Sequence, residues 1–178
     1  MTYVALLRGI NVGGHKKVEM SKLKQAFEDA GYENVSTYIN SGNVIFESKK
    51  KVDTLSIEKM LEKVFGFEIF VVVRDVGNIQ KLCKAIPVDW TNDDDQKTDI
   101  CFLWDEYDNE SSIGHLKLTA GVDRVKYIDG ALVWNIHRKD YTKSGMHTFI
   151  GTPLYKHMTA RNVNTVRKLG ALMTVGSD

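Results

Sequence analysis

Hydrophobic positions along the chain switch between a spacing of two and a spacing of three to four, and the switches mark the elements. Residues 2–7 (Thr2 to Leu7) have strand composition. Leu23, Ala26, Phe27 and Ala30 then recur at helical spacing over Ser21 to Ala30, and Gly31 follows where a left-handed closing residue is wanted. Two short β-rich runs, Val35 to Ile39 and Val44 to Ser48, flank Asn40-Ser41-Gly42-Asn43 and predict a hairpin. Leu55, Met60, Leu61, Val64 and Phe65 predict a second helix, and Glu68 to Val73 a strand with a nearly continuous apolar centre. This order, β-α-β-β-α-β, is that of the split βαβ or ferredoxin-like unit.

The second half opens with a helix over Val76 to Ala85, which stops before Pro87. Asp99 to Trp104 predicts a strand and Ser112 to Leu118 a weak helix. Val122 to Ile128 and Ala131 to His137 predict two strands joined by Asp129-Gly130. Residues 138–161 read as a long polar connection, and Asn162 to Leu172 as a final helix with Val163, Val166, Leu169 and Leu172 on one side. No closing strand is visible, so the expectation is an α+β protein. A ferredoxin-like lobe, 1–75, is followed by a second, incomplete ferredoxin-like α/β lobe, 76–178. With no Pro-rich or Gly/Ser-rich linker between them, the lobes are expected to pack closely.

Composition narrows the class. A chain of 178 residues that is 43% hydrophobic can build a sizeable core. With 24 basic and 23 acidic residues the net charge is +1, so nothing global draws it to nucleic acid or to a membrane. Cys83 and Cys101 form no Cys-x-x-Cys and no secretory leader is seen, which predicts buried thiols in a reducing compartment. The longest apolar runs fall far short of the roughly 20 residues that cross a bilayer. A soluble, cytoplasmic protein without membrane partners is expected.

Charge is uneven. Between Pro87 and Glu110 nine acids face the single Lys97, and between His137 and Lys168 seven bases face the single Asp140. The acidic flank reads as a solvated face; the basic flank coincides with the long connection.

Three polar segments sit at element boundaries. The loop 8–19, "RGINVGGHKKVE", is about twice the usual strand-to-helix length, and Gly9, Gly13 and Gly14 could bring amides to an anion. It matches neither phosphate-loop spacing nor the dinucleotide fingerprint, and Lys16 and Lys17 read as solvated charges. The hairpin 37–46 puts Asn40, Ser41 and Asn43 at one sheet end. In "MTARNVNTVRKL", Thr159 or Asn162 offers an N-cap with Arg161 beside the helix start, a second anion-site pattern. Ser144, in "TKSGMH", is placed by its loop to hold an anion rather than to act as a nucleophile. The five histidines show no metal-ligand spacing, so no metal is expected. No cofactor, no catalytic residue and no general acid/base pair can be named.

The blocks "LLRGINVGG" with "KVEM", "TYINSGNVIF" and "TARNVNTVRKL", joined by "VVVRD" and "GTPLYKHMT", together resemble one bacterial family, the domain of unknown function 1697. The last block departs from the pattern at Val163, where an aromatic is expected. The resemblance implies that Arg8, Asn11, Gly13, Gly14, Asn40, Ser41, Asn43, Arg161 and Asn162 belong to its characteristic blocks, and it implies no reaction or cofactor. The functional expectation is a small anionic or phosphorylated ligand bound in an inter-lobe cleft by these residues and Ser144. The alternatives are a non-catalytic interaction module in which the flanks pair with a partner, and a nucleic-acid binder through the basic 137–168 stretch. An RNA-recognition module fits poorly, because the aromatic strand signature is missing.

Overall fold

The computed structural model describes residues 1–174. They form two compact units, residues 1–77 together with the chain from Leu169 onward, and Asn78–Lys168.

In the first unit the strands β1 (Thr2–Leu7), β2 (Glu33–Tyr38), β3 (Asn43–Glu47) and β4 (Val71–Asp75) make an antiparallel sheet in the order β2-β3-β1-β4. The centre of β1 is buried, and the strand lies between two others, with Val4 opposite Ile45 on one side and Arg74 on the other. Helices α1 (Met20–Asp29) and α2 (Thr54–Phe65) bury Leu23, Phe27, Ile57 and Leu61 against Ala5, Leu7, Val44, Phe46 and Val71 of the sheet. Each such side chain stabilises the unit by about 1.5–3 kcal/mol. Asp53 caps α2, accepting from Ser56 N, and Gly66 ends it at φ +79°. In β2, an outer strand, the ladder with β3 shifts between Glu33 and Ser36, where Asn34 takes φ +51°.

Two details depart from the sequence expectation. The last strand runs over Val71–Asp75, later than its apolar run, and Phe70 O accepts from Arg8 N (2.9 Å) just before it begins. Ile39 lies outside β2: its φ of +52° takes the chain out of extended geometry into the turn.

The second unit repeats this strand plan. Strands β5 (Gln96–Leu103), β6 (Arg124–Ile128), β7 (Ala131–His137) and β8 (Met158–Asn162) are antiparallel in the order β6-β7-β5-β8. Helix α3 (Val76–Ala85) precedes the sheet and α6 (Val163–Leu172) follows it. The closing strand missing from the sequence expectation is β8. Thr159, Arg161 and Asn162 look polar, whereas pairing with β5 from Asp99–Asn162 to Leu103–Met158 makes the segment a strand. The expected weak helix at 112–118 is instead a 3-10 turn over Glu110–His115, as Ser111, Ser112 and Gly114 would weaken an α-helix. The long connection holds a 3-10 turn (Arg138–Lys143) and two short helices, α4 (Gly145–Thr148) and α5 (Pro153–Lys156). Met146, Phe149 and Leu154 from these segments pack with Cys101, Leu103, Leu132 and Trp134 on one sheet face.

The likeness extends to single hydrogen bonds. At the end of β1, Leu7 N donates to Gly42 O (2.8 Å) and Arg8 N to Phe70 O (2.9 Å). At the end of β5, Leu103 N donates to Gly130 O (3.0 Å) and Trp104 N to His157 O (3.1 Å). Each first strand is thus tied to a hairpin glycine and to the residue before the closing strand.

Candidate functional site

The glycine-rich loop of the first unit is a small hairpin. Val12 and His15 bridge in antiparallel fashion, His15 N donates to Val12 O (3.0 Å), and Asn11 N donates to Lys16 O (3.1 Å). Gly13 and Gly14, at φ +59° and +79°, fill the two left-handed positions of such a two-residue turn. Their presence follows from the turn. Asn11, itself at φ +54°, closes the base: its amide donates to Val18 O and to Asn40 O (2.9 Å each), and its oxygen accepts from Val18 N (2.8 Å). The same residue therefore sets the loop's path and joins it to the 39–42 turn.

That turn is held from inside. Asn43 is fully buried, and its amide donates to Tyr38 O (2.9 Å) and Ser41 Oγ (3.0 Å). Gly42 cannot carry a side chain: at φ +78°, an added Cβ would lie 2.7 Å from Ile10 Cδ1 and 2.8 Å from Leu7 Cβ.

Between the hairpin and α1 lies an open groove of about 880 Å³. Asn11, Gly14 and Asn40 line one part of it, Lys17 and Lys22 supply positive charge, and Met20 and Phe65 supply apolar surface. The N-terminal turn of α1, residues 19–22, also lines it, and this ten-residue helix has no side-chain cap and no acidic residue in its first turn. The first amides of a helix have no intrahelical acceptor, and they carry the positive end of its dipole. Glu19, the one carboxylate on the walls, accepts from Ser21 Oγ. The chemistry available is attraction of an anion beside a modest apolar surface.

Of the expected site residues, Asn11, Gly14 and Asn40 line this groove, whereas Arg8, Gly13, Ser41 and Asn43 do not. Arg8 is half-buried, with its amide on Phe70 O. Both lysines are exposed, as solvated charges would be, but they differ from each other. Lys16 is engaged, its Nζ donating to Glu68 O (3.1 Å) and lying 5.7 Å from the Phe67 ring centroid, while Lys17 faces the groove. Reading the loop alone missed Met20, Lys22 and Phe65; the missing Ser, Thr, Asp or Asn before Met20 was the one signal in the sequence.

In the second unit, the remaining expected residues make contacts within the fold. Arg161 lies on β8 at 7% exposure and donates through Nη1 to Thr159 Oγ1 (3.0 Å) and Ala160 O (2.7 Å). Burial lowers its pKa to about 10, which leaves it charged at neutral pH. Asn162 caps α6, accepting from Thr165 N (2.9 Å). Val163, where the family pattern would place an aromatic, is fully buried. Ser144 is buried, its hydroxyl donates to Asp123, and its oxygen accepts from Met146 N (2.9 Å). A serine whose one proton is so committed has none for an anion.

The charged flanks meet within this unit. Arg138 donates through Nε to Asp93 O and through Nη2 to Asn92 Oδ1 (3.2 Å), and His137 Nδ1 lies 3.3 Å from Asp95 Oδ2. His157 Nδ1 lies 2.9 Å from Glu106 Oε1, and Arg167 donates to Pro87 O (3.1 Å). These contacts join the two runs through backbone and amide oxygens and through two histidines, not through paired Lys or Arg and Asp or Glu side chains. Cys83 is half-buried and Cys101 buried, both as free thiols whose ionisation burial disfavours. Among the described residues no group of three or more His, Cys, Asp or Glu is placed to hold a metal, and no helix is long and apolar enough to cross a membrane.

Paired four-stranded antiparallel sheets with helices define an α+β protein. Residues 1–134 match the protein family of unknown function DUF1697, and the chain belongs to that family. A solved structure, that of the conserved bacterial protein SP0830 from Streptococcus pneumoniae, is similar over 97% of this chain and 98% of that one, at 27% identity and a TM-score of 0.81. No curated protein matches the chain.

Proposed function

We propose that the first unit binds a small anionic ligand in the groove between the Gly13-Gly14 hairpin and the start of α1. The observation that carries the reading is the groove itself. Two lysines from different elements, Lys17 and Lys22, stand on its walls beside an uncapped helix N-terminus, with Asn40 brought in from the hairpin turn. Phosphate and carboxylate groups fit such a site through amide donation and charge. The unit that holds it is read as ferredoxin-like; the strand order β2-β3-β1-β4 with both crossover helices supports this.

A thermal-shift screen of inorganic phosphate, nucleotides, sugar phosphates and carboxylates tests the reading. At least one anion class is expected to raise Tm, less so at high salt, and the shift is expected to vanish in a Lys17→Ala/Lys22→Ala variant. A shift of equal size in that variant, or none with any anion, removes the proposal.

A further inference from the structure

The second sheet ends on a strand whose outer backbone edge is open. β6 pairs with β7 residue for residue, from Arg124–Asn135 to Ile128–Ala131, without a register shift. Across the two-residue turn Asp129-Gly130, Ile128 and Ala131 form a hydrogen-bonded pair, so Lys126 and Arg124 also bond inward to β7. The amides and carbonyls of Val125 and Tyr127 then point away from the sheet. Among the described residues no group outside β7 bonds to them. The outer strand β2 of the other sheet is interrupted by its register shift, whereas β6 is straight.

Charge beside this edge is ordered. Val125 and Tyr127 pack against the core around Trp134, and the alternate residues Arg124 and Lys126 share the opposite face. Their cationic groups lie 5.6 and 5.7 Å from the ring centroid of Trp90, which restrains both long side chains in advance. Arg124 also donates to Gln96 Oε1 (3.3 Å). The acids adjoining the strand are committed elsewhere, Asp129 to Lys81 and Asp123 to Trp134 and Ser144. Among the described residues neither cation is in an ion pair.

We infer that β6 is a docking edge for an extended acidic segment of another protein, which joins the four-stranded sheet as a further strand with Asp or Glu at alternate positions. Its backbone exchanges hydrogen bonds with Val125 and Tyr127, and its carboxylates stand opposite Arg124 and Lys126. A second copy of the chain is a poor occupant, because antiparallel self-pairing centred on Val125 or on Lys126 sets cation against cation. Charge alone would also draw a nucleic acid, but only a peptide satisfies the open ladder. This inference does not rest on the anion reading of the first unit.

Calorimetric titration of the full chain with three blocked octapeptides tests the inference: one alternating Glu and Val, one alternating Lys and Val, and the first again with its valines N-methylated. The Glu peptide is expected to bind about tenfold or more tighter than the Lys peptide, by a margin that shrinks at high salt. N-methylation of the valines, which face Val125 and Tyr127, is expected to abolish binding. Arg124→Gln/Lys126→Gln should weaken the Glu peptide about tenfold, and Lys126→Gln alone, at an exposed position that leaves the fold intact, about threefold. No binding of the Glu peptide, equal affinity for both charges, binding that survives N-methylation, or binding untouched by Lys126→Gln overturns the inference. A low-salt dimer in sedimentation that the Glu peptide dissociates overturns it in favour of a second copy. Tighter binding of a single-stranded oligonucleotide, lost in the double variant, overturns it in favour of nucleic acid.

Discussion

Gly42 shows how much a single position can decide. Its positive φ and the crowding by Leu7 and Ile10 act together, so Gly42→Ala must strain the backbone and displace neighbours of β1. The left-handed conformation alone costs a non-glycine residue about 1–2 kcal/mol, and the contact with Leu7 Cβ adds to it. Gly42→Ala is therefore expected to lower the urea midpoint without changing the slope of the transition. The same residue scale separates what was legible from what was not. Gly31 and Gly130 were readable as terminators because their φ values follow from a helix end and a tight hairpin. Ile39 was not, since its side chain argues for a strand and only its hydrogen-bonded neighbours force it out. Asn11, Asn43 and Ser144 were recognised as notable, but sequence cannot tell an asparagine that meets a ligand from one that staples a loop.

Among the elements, the turn before β6 illustrates polar organisation. The Asp123 carboxylate accepts from Thr119 N (2.7 Å), Trp134 Nε1 (2.8 Å), Gly145 N (3.0 Å) and Ser144 Oγ, joining that turn to β7 and α4. Partial burial opposes its charge, but these bonds, that of Ser144 foremost, outweigh it and hold the carboxyl below its usual 3.8. A depressed folded-state pKa gives stability that is fully present above the unfolded value and is lost as pH falls through the folded one. Asp123→Asn is thus expected to cost about 2–3 kcal/mol at neutral pH, since it sets amide hydrogens against backbone donors. In urea titrations from pH 7 to pH 2, its deficit against the wild type should shrink below about pH 4. Periodicity revealed the helices because their buried stripes repeat over several turns. It missed β8, whose extended form comes from its partner β5 and whose buried Arg161 and Thr159 look like surface residues.

For the whole molecule, the two sheets share one strand order and one pair of backbone ties at the end of the first strand, although their crossovers differ. Two α-helices serve the first sheet, where the second uses 3-10 turns and short helices. The order β-α-β-β-α-β was readable in the first half because its helices are long; the shorter crossovers of the second half hid an equivalent plan. The first unit is also discontinuous in sequence, since Leu169 and Met173, both buried, group with residues 1–77. Leu169→Ala should accordingly destabilise the protein by about 2–4 kcal/mol, as chemical denaturation would show.

One local irregularity bears on how molecules of this protein meet at high concentration. Strand β2 ends the first sheet, and a straight outer strand invites another chain to extend the ladder into an aggregate. The register shift between Glu33 and Ser36, with Asn34 turned left-handed, breaks that template in its middle. An incoming strand would find neither a continuous row of donors and acceptors nor a flat surface to follow. The misfit in the ladder thereby acts as a guard against fibrous self-assembly.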